Sequence, residues 1–306
     1  MSSTSRMSLA MCKHLPALFQ VARIRGNPSR GYGENSHVVT PTEPPPLTKT
    51  VFTNGVKTIT MCSTKTRNAL SLQMMEDLIH HITGGQDDPK LRCIVLYAEG
   101  KVFSSGHNLK ELTSKDGPDY HQQVFATCSR LMLGILQCPV PVVAVVQGLA
   151  AAAGCQLVAT ADIAVCTEGS TFSTPGANFG VFCSTPGIAV GRAVPRKVAA
   201  HMLFTGMPLT ADEALRAGLV SKAVAQENLD EEVSKIVQAI CEKSRAVVAM
   251  GKKFFYQQME EDIRTAYRLG EEVMVSNIAL ADGQEGIRSF IEKRKAIWGH
   301  NFEKAH

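Results

Sequence analysis

The amino-acid sequence predicts an α/β fold organised around a parallel β-sheet, and three observations support this. Between residues 51 and 167, short apolar runs alternate with segments whose apolar residues recur at helical spacing. The runs "RCIVLYA", "VPVVAVV" and "DIAVC" are apolar at almost every position, as in strands whose sheet is covered on both faces. Beyond about residue 195 the pattern becomes almost entirely helical. We expect this last part either to cover the α/β body or to form a contact between subunits.

Each element has its own signal in the sequence. The segment "VFTNGVKTITM" predicts two short strands around an Asn54-Gly55 turn, because these residues readily adopt the left-handed conformation of tight hairpins. Ser71 is the predicted N-cap of the next helix. Its apolar face is formed by Leu72, Met75, Leu78, Ile79 and Ile82. The strand "RCIVLYAEG" follows, then the long helix "DYHQQVFATCSRLMLGILQ", the strand "VPVVAVVQG", the short helix "AAGCQLVAT" and the strand "DIAVCT".

Composition is that of an ordinary globular protein and argues against several classes. Of the 306 residues, 44% are hydrophobic and 20% charged, and a formal net charge of +4 is too small to argue for nucleic-acid binding by itself. No apolar stretch reaches the roughly 18 to 20 residues that a membrane helix needs, so no membrane span is expected. The nine cysteines include no C-x-x-C pair, so we expect reduced, buried thiols and no metal site.

The first 36 residues have the composition of a mitochondrial transit peptide. They carry five basic residues and no acidic residue before Glu34, and apolar residues recur at helical spacing from Leu15 to Ala22. We therefore predict a transit peptide at 1–36, a proline-rich linker at 37–49, a core at 50–250 and a C-terminal helical region at 251–306. The predicted location is the mitochondrial matrix. A disordered basic tail is the alternative interpretation of the first segment.

Two loops rich in small residues follow predicted strands. "AAAAGCQL", residues 150–157, leaves almost no side chain on the backbone where a short helix should begin. The free N-H groups of a helix N-terminus suit an anion or a developing oxyanion. "EGKVFSSGHNLKEL", residues 99–112, has a similar Ser105-Gly106 turn after a strand. If the loops lie side by side, two N-H groups converge on one oxygen; otherwise both are ordinary glycine turns.

The segments around these loops also match longer motifs. "VFSSGHNLKEL" is similar to F-x-A-G-x-D-L, and "VVAVVQGLAAAAGCQLVATADIAV" to A-x-x-N-G-x-A-x-G-G-G-x-E-L-x-x-x-C-D, two motifs of the crotonase (enoyl-CoA hydratase/isomerase) superfamily. Four further segments match in the family's order over about residues 50 to 298: "TRNALS", "TFSTPGANFGVFCSTPG", "TADEALRAGLVSKAV" and "DGQEGIRSFIEKRKAIW". The resemblance implies a crotonase spiral of β-β-α units over residues 50–250, a helical C-terminal trimerisation region, and assembly as a homotrimer or homohexamer.

The resemblance also implies an acyl-CoA thioester as ligand, with its carbonyl oxygen held between two peptide N-H groups. Carried over by position, the donors are Ser105 and Ala153, where alanine replaces the motif's glycine but keeps the N-H. Five residues are implied to contact the CoA part: Lys65, Arg67, Asn68, Lys110 and, from a neighbouring subunit, Lys295. CoA arrives as part of the ligand, so no separate cofactor is expected.

Both carboxylates used by the family's hydratases are missing. Those enzymes use two glutamates as general acid and base to place water across the α,β double bond. Gln156 stands at the first position and Gly176 at the second. Glutamine can hydrogen-bond water but cannot take its proton, and glycine has no side chain. Ordinary enoyl-CoA hydration is therefore expected to be lost or residual.

Other side chains in the motif segments could take part in chemistry. His107 has an ordinary pKa suited to proton transfer near neutral pH, although a purely local hydrogen bond is the alternative. Ser184 lies where some isomerases of the family have an aspartate, and Cys183 is interpreted as a small buried hydrophobic residue. A Ser-His hydrolase built on Ser104 or Ser105 with His107 would lack both a nucleophile elbow and an acidic partner.

Several function classes therefore stay open. The first prediction is a mitochondrial acyl-CoA-binding protein of fatty acid and lipid metabolism. The alternatives are an enzyme that needs no glutamate base, such as an acyl-CoA decarboxylase or an isomerase, and a non-catalytic regulatory or assembly subunit. RNA binding through the helix at 243–257 is not favoured, because four scattered charges usually form a solvated face: Lys243, Arg245, Lys252 and Lys253.

Overall fold

The computed structural model describes residues 45–305. The transit peptide predicted at 1–36 and residues 37–44 of the predicted linker lie outside the described residues. Six strands form the larger sheet: β1 (Thr48–Thr53), β2 (Val56–Met61), β3 (Cys93–Ala98), β5 (Val142–Val146), β7 (Ile163–Thr167) and β10 (Lys222–Val224). Four short strands form a second sheet: β4 (Val102–Ser104), β6 (Leu149–Ala151), β8 (Thr171–Ser173) and β9 (Leu209–Thr210).

Helices connect the strands and make up most of the C-terminal half. The first four are α1 (Leu72–Thr83), α2 (Gly117–Gln137), α3 (Ala153–Thr160) and α4 (Ser184–Ala193). The remaining six are α5 (Arg196–Thr205), α6 (Ala211–Ala217), α7 (Leu229–Cys241), α8 (Arg245–Gln258), α9 (Ile263–Ile278) and α10 (Ala281–Ile291). The boundary predicted at residue 250 falls inside α8.

The larger sheet confirms the strands predicted between residues 51 and 167. β1 and β2 form the predicted antiparallel hairpin, and Asn54 and Gly55 have φ angles of 51° and 82° in its turn. All other pairs of this sheet are parallel, from β2-β3 to β7-β10. The Ser71 hydroxyl accepts a hydrogen bond from the Met74 N-H and so caps α1 as predicted.

The second sheet has no counterpart among the strands predicted one by one. β4, β6 and β8 each follow a strand of the larger sheet after only two or three residues, and each is itself three residues long. Runs of this length carry no periodic signal that could reveal them. With the helices that follow, they make three successive β-β-α units, β3-β4-α2, β5-β6-α3 and β7-β8-α4, which confirm the spiral implied by the family resemblance.

Apolar side chains cover both faces of the larger sheet, as the continuous apolar strands predicted. Ile94 and Leu96 of β3 point into the main core with α1 and α2, whereas Cys93 and Val95 of the same strand belong to a second cluster with Val233 of α7. The C-terminal half is mainly helical, as expected. It also contributes one short strand to each sheet, β9 to the smaller and β10 to the larger. In residues 45–305 no helix combines the length and hydrophobicity needed to cross a membrane.

A buried ion pair joins α8 to the α/β body. The Lys252 ammonium group donates to Asp162 Oδ2 at 2.6 Å and to the carbonyl oxygens of Ile135 and Val140 at 2.9 and 3.0 Å. Tyr256, one turn further along α8, donates to the other oxygen of Asp162 at 2.7 Å. The Lys252 and Asp162 side chains are only 6% and 13% exposed. Lys252 therefore contributes nothing to a basic surface for RNA.

Replacement of Lys252 by methionine should lower the free energy of unfolding by about 3 to 5 kcal/mol, because it leaves the Asp162 carboxylate largely buried without its cation. Urea unfolding of Lys252→Met measures the loss. The neighbouring Lys253 is exposed on the same helix, so Lys253→Met is the matched control and should change stability by no more than about 0.5 kcal/mol. Equal stability of the two variants would contradict the assigned role of the ion pair.

Candidate functional site

Three loops meet at one edge of the second sheet. β4, β6 and β8 are parallel neighbours, with Ser104 paired to Ala150 and Ala151 paired to Ser173. Because the carboxyl ends of parallel strands lie at the same edge, the segments that follow these strands come side by side. The structure therefore places the two small-residue loops side by side, which is the condition for their N-H groups to share one oxygen. A third loop, which begins at Thr174, lies at the same edge.

The first two loops touch through backbone atoms, and glycine makes this contact possible. A β carbon on Gly106 would lie 2.8 Å from Ala152 Cβ and 2.9 Å from the Ala151 carbonyl oxygen. A β carbon on Gly154 would lie 2.7 Å from the Ser104 carbonyl oxygen. Real β carbons do not approach other atoms so closely, so any side chain at either position would push the loops apart.

Ala152 turns the chain from β6 into α3 in a strained conformation. Its φ and ψ are 48° and −118°, a region that only glycine enters without cost, and the family motif has glycine at this position. Such a residue stores about 1 to 3 kcal/mol of strain. Its N-H donates to the Ser173 carbonyl oxygen at 2.8 Å, which fixes the turn against β8. Ala153 thereby becomes the first residue of α3.

The two predicted donors, the N-H groups of Ser105 and Ala153, differ in whether they already have an acceptor. Among the described residues, the Ala153 N-H has no acceptor, as expected at the first position of a helix. The Ser105 N-H already donates to the Arg67 carbonyl oxygen at 3.0 Å, so it is not free. The Gly106 N-H donates to Ser104 Oγ at 3.2 Å, and the next one, that of His107, has no acceptor within residues 45–305. In this loop the Ser105 N-H is therefore engaged, whereas the His107 N-H is without an acceptor among the described residues.

The His107 side chain lies in a largely apolar environment. Its Nδ1 is 3.4 Å from the Leu70 carbonyl oxygen, and its ring meets the Phe125 ring edge to face at a centroid distance of 5.3 Å. Nε2 is buried and has no partner among the described groups. Burial lowers the pKa of His107 below its ordinary value, so the ring is neutral at pH 7. Because only a carbonyl oxygen faces Nδ1, we assign the proton to Nδ1 and the lone pair to Nε2.

Gln156 lies one turn after Ala153 on α3 and is only 5% exposed. The Cys128 thiol of α2 donates to its Oε1 at 3.8 Å, and burial raises the pKa of Cys128 to about 12, so this sulfur stays protonated. Gln156 also lines a groove of about 1420 Å³ between α2, α3, α4, α8 and α9. The groove is mainly apolar, with side chains that include Met132, Leu136, Ile188, Met250 and Phe254.

Gly176, which the family motifs predict to stand at the position of the second glutamate, has no room for a side chain. It lies in a 3-10 turn, Pro175–Phe179, and a β carbon there would overlap the Val181 carbonyl oxygen and lie 2.7 Å from Cys183 Sγ. The Gly176 N-H donates to that sulfur at 3.3 Å. Cys183 is buried, as interpreted from the sequence, and burial raises its pKa. Ser184 is exposed at the first position of α4.

The candidate CoA contacts fall into two groups. Lys65 and Arg67 are exposed on the turn beside Ser105, and Lys110 is exposed on the Leu109–Glu111 turn after the same loop. Asn68 is fully buried: its amide donates to the carbonyl oxygens of Glu99 and Val102, both at 2.9 Å, so it supports the loop from inside. Lys295 is exposed after α10, and its predicted role requires a neighbouring subunit.

Some residues of the site gave no signal in the sequence. Leu70 and Phe125 contact the His107 ring, but the sequence placed Leu70 only within the motif segment "TRNALS" and Phe125 only within a predicted helix. Thr174 is fully buried after β8, and its hydroxyl has no partner among the described groups. No cluster of three or more acidic, histidine or cysteine side chains able to hold a metal ion occurs in residues 45–305.

Comparisons with known proteins identify the family of this chain. Residues 51–301 match the family model described as enoyl-CoA hydratase/isomerase. The mitochondrial enoyl-CoA hydratase domain-containing protein 3 of Xenopus laevis is 53% identical over 94% of this chain and 96% of the relative. The human protein of that name is 55% identical over 81% of this chain and 82% of its own. Both names include the word mitochondrial, which confirms the predicted location in mitochondria.

A solved structure confirms the fold. The crystal structure of human enoyl Coenzyme A hydratase domain-containing protein 3 superimposes with a TM-score of 0.82 and 52% sequence identity. The match covers 83% of this chain and 100% of that one. The crotonase spiral implied by the sequence motifs is therefore the architecture of this chain.

The lack of room at Gly176 can be measured as stability. Gly176→Ala should lower the free energy of unfolding by about 1 to 3 kcal/mol, because the added methyl group overlaps the Val181 carbonyl oxygen. Gly191→Ala in α4 is the control: no atom lies within 4 Å of its added β carbon, and alanine favours a helix by about 0.5 to 1 kcal/mol. Urea titration compares the two. A Gly176→Ala protein as stable as Gly191→Ala would show that the loop yields to a side chain.

Proposed function

The chain belongs to the enoyl-CoA hydratase/isomerase family, and from that premise we propose that it binds an acyl-CoA thioester through the backbone N-H groups of His107 and Ala153. The observation that carries this proposal is the presence of two free N-H groups on loops held in backbone contact by Gly106 and Gly154. Donors fixed in this way favour an oxygen that gains negative charge, such as the carbonyl oxygen of a thioester on its way to an enolate.

We call the pair of N-H groups of His107 and Ala153 the oxyanion hole. The residues around this hole suit both the acyl end and the CoA end of such a ligand. From Ala153 to Gln156 the α3 helix advances by about 4.5 Å, so an acyl chain held at the N-terminus reaches the apolar groove within one turn. On the outer side, Lys65, Arg67 and Lys110 are exposed around the same loop and can meet the phosphates of CoA. Asn68 is left out of these contacts because its side chain is committed to the loop.

The proposal excludes hydration by a pair of glutamates. The Gln156 side chain is an amide whose oxygen accepts a hydrogen bond from the Cys128 thiol. At Gly176 the fold leaves no space for a side chain. Water bound near either position would find no carboxylate to take its proton. What the site retains is the half of the family's chemistry that binds and polarises a thioester, in a mitochondrial protein of fatty acid or lipid metabolism.

Two readings of the activity follow from an intact hole without glutamates. An enzyme can still act where enolate stabilisation is the main requirement, as in decarboxylation or isomerisation of a CoA thioester. A non-catalytic regulatory or assembly subunit would use the same contacts for binding alone. Assembly as a homotrimer or homohexamer is supported by apolar side chains on the described surface of the last two helices, such as Tyr267, Val275, Phe290 and Ile291, each at least 70% exposed.

Removal of one backbone donor tests the hole directly. Ala153→Pro deletes the N-H at a helix position that tolerates proline, and the lost hydrogen bond of about 1 kcal/mol should weaken thioester binding about fivefold. Ala153→Gly keeps the N-H and is the matched control, with affinity close to wild type. Isothermal titration with butyryl-CoA measures both, after thermal unfolding has shown that each variant is folded. Unchanged affinity in a folded Ala153→Pro protein would contradict the assignment.

The loss of hydration is a second expected outcome. With crotonyl-CoA and longer 2-enoyl-CoA substrates, the rate of water addition should lie about 10² to 10⁴ below that of a hydratase with both glutamates for each carboxylate that is missing. The decrease in absorbance of the conjugated thioester follows the reaction. A mitochondrial enoyl-CoA hydratase under the same conditions is the reference. Turnover similar to that reference would sink the claim that the glutamate pair has no substitute.

A further inference from the structure

We propose that the His107 imidazole is the proton acceptor of this site and removes a proton from the α carbon of an acyl-CoA, while the backbone N-H of the same residue helps to hold the enolate that forms. This inference rests on the thioester binding proposed above. It assigns a base to a site in which neither position of the glutamate pair carries a carboxylate.

The imidazole has the arrangement of an oriented base. Its Nδ1 faces the Leu70 carbonyl oxygen at 3.4 Å, which fixes the tautomer and leaves the Nε2 lone pair as acceptor. Nε2 is enclosed and has no hydrogen-bond partner in the described part of the chain. A buried polar atom without a partner costs free energy, so an atom of this kind calls for an explanation. A ligand that brings an acidic C-H to Nε2 supplies one.

The position of the ring relative to the hole agrees with this role. His107 follows directly on Gly106, whose added β carbon would lie 3.2 Å from the Ala153 nitrogen. The ring contacts Phe125 of α2, and the Gln156 amide contacts Cys128 of the same helix. Residues three apart lie on one helix face, so imidazole and amide pack on the same face of α2 about one turn apart. The imidazole therefore lies between the Gly106 loop, which contacts the start of α3, and the Gln156 amide, which lines the apolar groove.

The chemical step needs no other reactant. The bond between the α carbon and its hydrogen breaks, the proton joins Nε2, and the electron pair moves to the carbonyl oxygen between the two backbone N-H groups. Return of a proton to the α carbon gives exchange. In a thioester with a double bond between the β and γ carbons, return of the proton to the γ carbon instead moves the double bond into conjugation. One base suffices for both outcomes, because it delivers the proton that it removed.

The neutral state of the ring suits a base. Three groups face the His107 imidazole. They are the Leu70 carbonyl oxygen, the Phe125 ring of α2 and, as the charged group, the Glu111 carboxylate of the adjacent turn. Burial lowers the pKa and is the larger effect, while the Leu70 hydrogen bond and Glu111 oppose it. The unprotonated ring is the reactive form, so activity should rise with pH and level off, with its midpoint below about 6.5.

The experiment compares exchange with binding. Full-length protein is incubated in D₂O with trans-3-hexenoyl-CoA, and NMR follows both the loss of α protons and the shift of the double bond. His107→Gln keeps the backbone N-H but cannot accept a proton, so both rates should fall by about 10²-fold or more. Calorimetric affinity for butyryl-CoA should stay within about twofold, because the donors of the hole are unchanged. His201→Gln, at an exposed histidine of α5, is the control and should match wild type.

The outcomes distinguish two claims, that the chain binds a thioester and that His107 is the base. Wild-type protein that binds butyryl-CoA but shows no exchange overturns the role of His107 and leaves thioester binding standing. Exchange that persists in folded His107→Gln has the same meaning. Failure of the wild type to bind any CoA thioester overturns both. If His107→Gln does not fold, the pH profile of the wild type decides, since a rate without a midpoint below about 6.5 would contradict an imidazole base.

Discussion

The candidate site depends on one steric constraint, the backbone contact between the chain after β4 and the chain at the start of α3. Gly106 and Gly154 permit it, and a β carbon at either would lie within 3 Å of the facing loop. Other features serve the same contact. Ala152 accepts a strained φ of 48° to start α3 in the right direction, and the buried amide of Asn68 supports the first loop from inside. Strain of about 1 to 3 kcal/mol is a considerable part of a typical stability of 5 to 15 kcal/mol, so the surrounding packing must hold this turn in place.

The short helix α3 links this contact to the C-terminal helices. Its first N-H faces the site, its first turn ends at Gln156, and Asp162 follows two residues after its end. The Asp162 carboxylate accepts hydrogen bonds from both Lys252 and Tyr256 of α8. The same helix α8 contributes Met250 and Phe254 to the apolar groove beside Gln156. One eight-residue helix thus begins at the candidate site and, through the buried ion pair that follows it, is linked to a wall of the apolar groove.

Sequence patterns predicted the long elements and failed for the short ones, for physical reasons. The Asn54-Gly55 hairpin, the Ser71 cap and the apolar strands β3, β5 and β7 follow local rules that a single sequence displays. Strands of three residues have no period to detect, so β4, β6 and β8 were visible only through the family motifs. Ala153 could be predicted as a donor because a helix N-terminus is a local feature. The hydrogen bond from the Ser105 N-H to Arg67 could not be predicted, because it joins segments 38 residues apart in the chain. The crowding of Gly176 by Val181 and Cys183 likewise exists only in three dimensions.

The two positions at which the family motifs predict glutamates differ in structure, and this difference bears on the chemistry proposed for the site. Gln156 keeps the length and position of a glutamate but exchanges a proton acceptor for an amide. Gly176 differs in more than its missing side chain, because backbone and sulfur atoms occupy the space that a side chain would need and Cys183 Sγ accepts its N-H. Restoring one carboxylate would therefore not recreate a water-adding pair. In the proposal made above, two backbone N-H groups and a buried imidazole nitrogen, each without a partner among the described residues, favour chemistry that begins at the α carbon over chemistry that begins with water.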